Sequence, residues 1–202
     1  MFFNCVVELT RRLSICLLSG GNSRRMGRDK ALLPHPDGGV WLTAMVDRLM
    51  PLGLPLRVLS RHPSHVAQLA DRSDLTVQLE PAPWNGPLQA LARVLSPLPG
   101  EALLVLPVDM PRLSTGVLRQ LIEAWHCQPE LMAVTHDGDR LQPLLAVIPS
   151  GPPFQSLLAE QLAAGQRRWM DWLERVPHQP VRLSSEALLN ANRPEDLATL
   201  FQ

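Results

Sequence analysis

The residues best suited to chemistry lie in a short basic segment, LLSGGNSRRMGRDKALL, at positions 17–33. It contains the pair Gly20 and Gly21, and glycine, which lacks a Cβ, permits positive φ and close approach of a ligand to the backbone. Successive N–H groups in such a loop can bind an anion or the edge of a base, and Arg24 and Lys30 supply cationic donors for phosphate. Lys30 is the only lysine of the chain. Because every other long basic side chain is an arginine, a lysine at this position indicates a need for the compact charge of an ammonium group instead of the planar guanidinium of arginine.

Two familiar phosphate-binding patterns do not match this segment. The Walker pattern ends in Gly-Lys-Ser/Thr, whereas here Gly27 is followed by Arg28 and Lys30 by Ala31. The dinucleotide pattern G-x-G-x-x-G is also absent, which argues against a nicotinamide-dependent oxidoreductase. A solvated basic loop is one interpretation. A phosphate-binding loop of another kind is favoured, because the glycine pair directly follows a predicted buried strand.

A second candidate is Asp109, in the segment LLVLPVDMPRL, where it follows an apolar strand. A carboxylate held at a strand end is suited to Mg²⁺, which takes one or two carboxylates together with water and substrate phosphates. A turn cap is the alternative role for such an aspartate. Together with the first loop, Asp109 predicts chemistry at the phosphates of a nucleotide, in which metal and lysine neutralise charge during an in-line displacement. No Ser-His-Asp or Cys-His arrangement is apparent, and no histidine is assigned a catalytic role.

The composition sets limits on the class of protein. The chain has 202 residues, 46% of them hydrophobic, and equal numbers of acidic and basic residues. Its net charge of zero gives no overall positive potential that would attract nucleic acid or an anionic membrane. No apolar run is long enough to span a membrane. The cysteines Cys5, Cys16 and Cys127 form no CxxC pair, so buried free thiols in the cytoplasm are expected. We interpret residues 1–12 as an N-terminal leader of unknown role and residues 13–202 as one domain.

The periodicity of apolar residues predicts an α/β fold. Strands are expected in seven apolar segments, at residues 13–18, 56–60, 75–80, 101–110, 131–136, 141–148 and 179–184. Helices are expected between them and at the end of the chain, at residues 40–50, 65–70, 86–95, 114–126, 153–165, 166–176 and 193–202. This alternation predicts a mostly parallel central sheet with helices on both faces, and a ligand site at the carboxyl edge of the strands.

Several motifs in this order resemble those of one family. The first loop is similar to the signature loop of the molybdenum cofactor guanylyltransferases. WNGPLQAL, PVDMPRL, THDGDRLQPLLAVI, GQRRWMDWL and LLNANRPEDL resemble further motifs of that family, in family order from about residue 13 to the end of the chain. The resemblance implies a Rossmann-like nucleotidyltransferase fold. It also implies transfer of GMP from Mg-GTP to the terminal phosphate of molybdopterin, with release of pyrophosphate.

The resemblance also implies roles for individual residues. Arg24, Lys30 and Asp109 would be the catalytic set, with both cations on phosphates and Asp109 on Mg²⁺. The nucleotide would further contact Leu18, Ser19, Gly20, Gly21, Ser60, Glu80 and Gly86. The molybdopterin would contact Pro87, Leu88, Arg167, Arg168, Asn190 and Asn192, although Arg167 and Arg168 are almost equally well explained as surface arginines of a helix. Proteins of cofactor synthesis and molybdoenzymes are the implied protein partners.

Two alternatives to guanylyl transfer remain open at this point. One is a cytidylyltransferase for the same cofactor, which would differ mainly in the residues that contact the base. The other is a non-catalytic protein that binds or delivers the cofactor. Its clue is the pair Gln89 and Ala90, at positions where the family usually has Ala-Gly.

Overall fold

A computed structural model of the chain describes residues 12–21, 29–35 and 38–191. This part contains seven strands: β1 (Arg12–Leu18), β2 (Leu56–Ser60), β3 (Leu75–Leu79), β4 (Glu101–Pro107), β5 (Met132–His136), β6 (Leu141–Pro149) and β7 (His178–Arg182). It also contains six α-helices: α1 (Trp41–Leu49), α2 (Pro63–Gln68), α3 (Pro87–Ala92), α4 (Thr115–Cys127), α5 (Phe154–Ala163) and α6 (Trp169–Leu173). Two short 3₁₀ turns lie at Lys30–Leu32 and Met50–Leu52.

All seven strands belong to one sheet, in the order β3-β2-β1-β4-β6-β5-β7. Strand β6 pairs antiparallel with both β4 and β5, and every other pairing is parallel. The strand order therefore reverses between β1 and β4. In open α/β sheets, the carboxyl ends of the strands at such a switch point form the usual place for a ligand. The predicted α/β fold with a mostly parallel sheet is confirmed.

Helices cover both faces of the sheet, as the apolar strands require. On β1, Ile15 and Leu17 face one core, which also receives buried residues of α1 and α4. Cys16 faces the opposite core, together with buried residues of α3, α5 and α6. Burying one such leucine stabilises the fold by roughly 2 kcal/mol. The polar residues at the carboxyl edge therefore rest on a rigid apolar base.

Two predicted helix starts match the structure. Ser114 caps α4, and its Oγ accepts a hydrogen bond from Val117 N. Pro87 opens α3, where it needs no hydrogen-bond partner for its nitrogen, directly after Gly86 with φ of +95°. The positive φ of Gly86 is a conformation that other residues rarely adopt, so this glycine is required by the backbone itself.

The structure also corrects several boundaries. Strand β4 ends at Pro107, so Asp109 lies in the turn after it. Helix α6 is shorter than predicted, with Arg168 at its N-cap. Cys16 is buried and burial raises the pKa of its thiol to about 12, but Cys127 is exposed, contrary to the expectation of buried thiols.

Strand β1 begins at Arg12, one residue earlier than expected. Residues 1–11 of the predicted leader, which include Cys5, and the predicted helix at 193–202 lie outside the described residues. Within the described part, no helix is long and apolar enough to cross a membrane.

Candidate active site

The candidate site is built at the switch point, where the segments after β1 and β4 run side by side. Ser19 N donates a hydrogen bond to Leu59 O at 2.9 Å, and Val108 N donates to Leu18 O at 3.1 Å. Both bonds continue the pattern of the sheet beyond the ends of the strands. The backbone that leads into the glycine pair and into Asp109 is therefore held by the sheet.

Lys30 and Asp109 are direct partners at this edge. Lys30 Nζ lies 3.3 Å from Asp109 Oδ2, and the two side chains are 11% and 29% exposed. Lys30 opens a 3₁₀ turn that is capped by Asp29, whose Oδ1 accepts a hydrogen bond from Ala31 N at 3.1 Å. Asp109 O in turn accepts a bond from Ala191 N at 3.0 Å. The structure thus brings together the two residues on which the sequence argument relied most.

The donor set around Asp109 fits a cation that is shared with a substrate. No cluster of three or more His, Cys, Asp or Glu side chains that could hold a metal ion occurs in the part of the chain that the structure describes. A metal at Asp109 would therefore take most of its ligands from water and from phosphate oxygens. Magnesium is bound in this way at many sites of phosphate chemistry.

The glycine pair is not explained by the backbone. Neither Gly20 nor Gly21 has a positive φ, so the conformational reason expected from the sequence does not apply. A methyl group on Gly20 would meet Arg61 N and Glu80 Oε2 at 3.6 Å, which is ordinary contact, and one on Gly21 would meet nothing among the described residues within 4 Å. The described part of the fold therefore leaves room for a methyl group at both positions. Close approach of a ligand, the second reason expected from the sequence, stays a prediction.

Glu80 presents a buried carboxylate beside the glycines. Its side chain is 8% exposed, and its Oε1 lies 3.6 Å from Arg93 Nε. Within the described residues, this Oε1 has no hydrogen-bond partner. Burial raises the pKa of Glu80, while Arg93 and Arg61 partly oppose that shift. Oε1 is thus buried toward Arg93, whereas Oε2 lies on the side of Gly20.

Trp84, which the sequence does not single out, lies beside Glu80 and Arg61. Its indole Nε1 donates to Glu80 O at 2.9 Å, and the guanidinium of Arg61 lies 5.3 Å from the centroid of its ring. The ring is half exposed. The only signal in the sequence is a single aromatic residue in the proline-rich turn EPAPWNGP. Trp84 thus offers a half-exposed aromatic surface beside Arg61.

A buried network of Asp29, His65, Ser60 and Ser19 lies behind the first loop. His65 Nε2 is 2.9 Å from Asp29 Oδ2, and its Nδ1 is 2.8 Å from Ser60 Oγ and 3.2 Å from Ser19 Oγ. We call these four residues the His65 network. No Ser-His-Asp arrangement is apparent in the sequence, and the fold brings these residue types together because β1, α2 and the 3₁₀ turn meet behind the loop. The Ser60 side chain is wholly buried in this network, which argues against the nucleotide contact predicted for it.

The residues predicted to contact molybdopterin are less closely grouped than Lys30 and Asp109. Pro87 is exposed at the start of α3, but the side chain of Leu88 is wholly buried in the core and is available to a substrate only through its backbone. Ala90 also packs into that core, so its methyl group points away from the site edge. Asn190 precedes Ala191, whose amide is bonded to Asp109.

Arg167 and Arg168 are exposed between α5 and α6. Arg168 Nε lies 3.7 Å from Asp171 Oδ1, and Arg167 Nη1 donates to Gly165 O at 3.5 Å. The contacts of the described residues do not join either arginine to the Lys30–Asp109 pair. Arg24 and Asn192 lie outside the described residues.

Comparison with known proteins identifies the family. The family model for the MobA-like NTP transferase domain matches residues 15–178, which is most of the chain. The chain belongs to the MobA-like NTP transferase family. It is therefore a nucleotidyltransferase, as the sequence resemblance implied. The first loop, Glu80, Asp109 and the α3 segment all fall within the matched range.

Similar proteins in this family carry consistent names. A probable molybdenum cofactor guanylyltransferase of Rhodopirellula baltica is 34% identical over 191 residues, which are 92% of this chain and 90% of the relative. A molybdenum cofactor guanylyltransferase of Pseudomonas syringae pv. syringae is 35% identical over 191 residues, which are 90% of this chain and 89% of the relative.

Solved structures show the same fold at low identity. Molybdopterin-guanine dinucleotide biosynthesis protein A of Archaeoglobus fulgidus has a TM-score of 0.70 at 19% identity, over 92% of this chain and 95% of that one. A 4-diphosphocytidyl-2C-methyl-D-erythritol synthase of Anaerococcus prevotii has a TM-score of 0.68 at 10% identity, over 94% and 96%. The nucleotidyltransferase fold of this family member is thereby confirmed.

Replacing Gly20 by alanine should separate folding from ligand binding. The free energy of unfolding is expected to stay within about 1 kcal/mol of wild type, because the added methyl meets only ordinary contacts. Binding of a nucleoside triphosphate is expected to weaken by about tenfold or more, equivalent to ~1.4 kcal/mol. Calorimetric titration and urea unfolding measure the two effects.

Gly53→Ala is the matched control for this substitution. Gly53 ends the 3₁₀ turn after α1 with φ of +66°, so alanine there should lower stability and leave nucleotide affinity unchanged. Unchanged affinity in Gly20→Ala would contradict the account of the glycine pair.

The buried His65 should make stability fall at mildly acidic pH. Burial lowers the pKa of His65 below its ordinary value, although Asp29 opposes the shift and His62 assists it. Below about pH 6.5 the unfolded chain therefore takes up a proton that folded His65 resists, so stability present at neutral pH is lost as the pH falls.

Comparison with His65→Gln isolates this contribution, because glutamine does not titrate. The stability advantage of wild type over the variant, measured by urea unfolding, should be smaller at about pH 5.5 than at about pH 7.5. An advantage that stays constant or grows on acidification would show that His65 is not held neutral.

Proposed function

We propose that this chain transfers GMP from Mg-GTP to the terminal phosphate of molybdopterin, forming molybdopterin guanine dinucleotide and releasing pyrophosphate. The names of its relatives supply the reaction and the substrates. The observation that carries the proposal is the Lys30–Asp109 pair at the switch point of the sheet. A cation and a carboxylate in contact, with a glycine pair alongside, form a site suited to a metal-bound triphosphate.

The chemistry is an in-line displacement at the α-phosphorus of GTP. A terminal phosphate oxygen of molybdopterin forms the new bond to this phosphorus, and the bond to the β-phosphate bridging oxygen breaks, so that pyrophosphate leaves with the electron pair. Mg²⁺, when bound at Asp109, would supply charge neutralisation for the phosphate oxygens. Lys30 would move from Asp109 to the triphosphate and stabilise the negative charge that develops on the leaving group. Arg24 is proposed to assist it on the phosphates.

Guanine recognition is assigned to Glu80 and the glycine pair. The Watson–Crick edge of guanine presents two adjacent N–H groups, which match the two acceptor oxygens of a carboxylate. The corresponding edge of cytosine presents one amino group and two acceptors, and these acceptors would be repelled by the same carboxylate. Glu80 Oε1 has no hydrogen bond in the described structure, but it is buried 3.6 Å from Arg93 Nε, so a base would reach it only if that contact opened. A carboxylate, which only accepts, would favour the guanylyl reaction over the cytidylyl alternative.

The molybdopterin is proposed to lie along Pro87, the backbone of Leu88, and the LLNANRP segment with Asn190 and Asn192. Arg167 and Arg168 are proposed for its phosphate. The reaction is proposed to occur in the cytoplasm, with cofactor-synthesis proteins and molybdoenzymes as partners. The delivery-protein alternative is weakened by Ala90, because its side chain packs into the core instead of filling the site.

Asp109→Asn tests the catalytic proposal. The variant should lose turnover of Mg-GTP with molybdopterin by at least about 100-fold, because a neutral amide binds Mg²⁺ poorly and no longer places a charge beside Lys30. Pyrophosphate release is the direct measurement. Asp47→Asn, at an exposed aspartate paired with Arg72, is the matched control and should retain full activity.

Two results would decide against this assignment. Full turnover in Asp109→Asn would remove Asp109 from the mechanism. A wild-type protein that transfers no nucleotide, and an Asp109→Asn variant that still delivers the cofactor, would favour the delivery protein.

Glu80→Gln tests the choice of base. A glutamine offers one acceptor and one donor, so binding of GTP should weaken by roughly 10- to 100-fold, while binding of CTP should change little. Stability at neutral pH should not fall, because a buried carboxylate with an incompletely satisfied oxygen is replaced by a neutral amide.

Competition titrations with GTP, CTP, ATP and UTP in the presence of Mg²⁺ measure this preference. Glu101→Gln is the control, because Glu101 is an exposed residue at the start of β4, at the other end of this strand from the proposed site. Equal affinity of the Glu80 variant and wild type for GTP would contradict the role of Glu80, and turnover of CTP without GTP would establish the cytidylyl alternative.

A further inference from the structure

We infer that His65 is a positioning residue that holds Lys30 in its catalytic place through Asp29. This inference rests on the proposed function, because it concerns the cation that is to bind the triphosphate. His65 itself lies on α2 and is wholly buried. It therefore acts on the reaction only through the residues that it contacts.

Asp29 uses both oxygens of its carboxylate. One of its carboxylate oxygens, Oδ1, accepts a hydrogen bond from Ala31 N, and the other, Oδ2, lies 2.9 Å from His65 Nε2. The start of the 3₁₀ turn is thus bound on one side to its own backbone and on the other to helix α2. Lys30 is the first residue of this turn and follows Asp29 directly. A fixed Asp29 carboxylate therefore restricts the position of the Lys30 backbone, from which the lysine side chain extends.

His65 is itself held through its other ring nitrogen, Nδ1. Its Nδ1 lies 2.8 Å from Ser60 Oγ at the end of β2 and 3.2 Å from Ser19 Oγ just after β1. Ser60 Oγ accepts a hydrogen bond from His62 N at 3.0 Å. A neutral imidazole with its proton on Nε2 donates to Asp29 and accepts at Nδ1 from Ser60 Oγ, the nearer of the two hydroxyls. One ring thus ties the basic loop to the ends of two strands.

The same residues could suggest a nucleophilic Ser-His-Asp triad, but their burial excludes it. Ser60 is 0% exposed and Ser19 is 3% exposed. A nucleophilic hydroxyl has to reach the substrate as well as its base, and neither of these does. The network instead resembles the outer hydrogen bonds that orient the ligating side chains of an active site, whose removal typically costs about 10- to 100-fold in activity.

The lone lysine makes the inference testable without any substrate. Protein grown with ¹⁵N-lysine carries one labelled side chain, Lys30, and hence one side-chain NMR signal. His65→Leu is expected to shift or broaden this signal in the nucleotide-free protein, because the Asp29 contact is lost. His65→Gln, which can still donate to Asp29, should bring the signal back toward its wild-type position.

Leu69→Ala is the matched control, because Leu69 is a buried residue at the end of the same helix and packs into the core. It should lower stability without moving the Lys30 signal. If His65→Leu does not fold, Asp29→Ala breaks the same contact from its partly exposed side and should move the signal in the same way. A Lys30 signal that is identical in wild type and in the folded variant would overturn the inference.

A double-mutant cycle then connects the contact to catalysis. His65→Leu is expected to lower kcat/KM for GTP by about tenfold or more. In a Lys30→Ala background the same change should lower it by less than about twofold, since two residues that act through one contact do not have additive effects. Additive losses would overturn the inference. If wild type transfers no GMP, the proposed function fails, and the NMR comparison still tests the role of His65.

Discussion

The ion pair between Lys30 and Asp109 is the contact on which the site depends. It joins the loop after β1 to the turn after β4 across the switch point. A partly buried pair adds little net stability, because removal of both charges from water offsets much of their attraction. We propose that the pair serves an exchange of partners. Each charge is costly to leave without a counter-charge, and a metal-bound triphosphate would supply one to both residues. In this proposal the pair keeps the cation and the carboxylate in place until the substrate binds.

The surrounding structure serves this exchange in distinct ways. Apolar packing on both faces of β1 and β4 holds the strand ends rigid, so the polar groups beyond them need little reorganisation on binding. Among the described residues, the glycine pair leaves room for a ligand beside Arg61 and Glu80. Glu80, directly after β3, is the acceptor proposed for the base. The His65 network holds the start of the turn that carries Lys30. The apolar core thus provides stability, and the polar residues at the carboxyl edge of the sheet are those proposed to bind the ligand.

The fold and the central pair could be predicted from the sequence for a clear physical reason: both depend on local patterns. Alternating apolar runs determine the strands, and residues that follow parallel strands meet at one edge, which is why the sequence alone could link Lys30 with Asp109. The His65 network was missed because its contacts join residues up to 46 positions apart, and no spacing rule connects them. Ser60 and Leu88 were assigned to ligands from motif position alone, and burial, which the sequence does not reveal, places their side chains elsewhere.

The central claim is that Lys30 leaves Asp109 for the triphosphate, and the chain's single lysine allows this to be observed directly. Wild-type protein labelled with ¹⁵N-lysine should be titrated with Mg-GTP while binding is followed independently by calorimetry. The account predicts that the Lys30 signal shifts and saturates along the same curve as binding, and that Asp109→Asn alters its starting position. A Lys30 signal that stays unmoved while Mg-GTP saturates the protein would contradict the account.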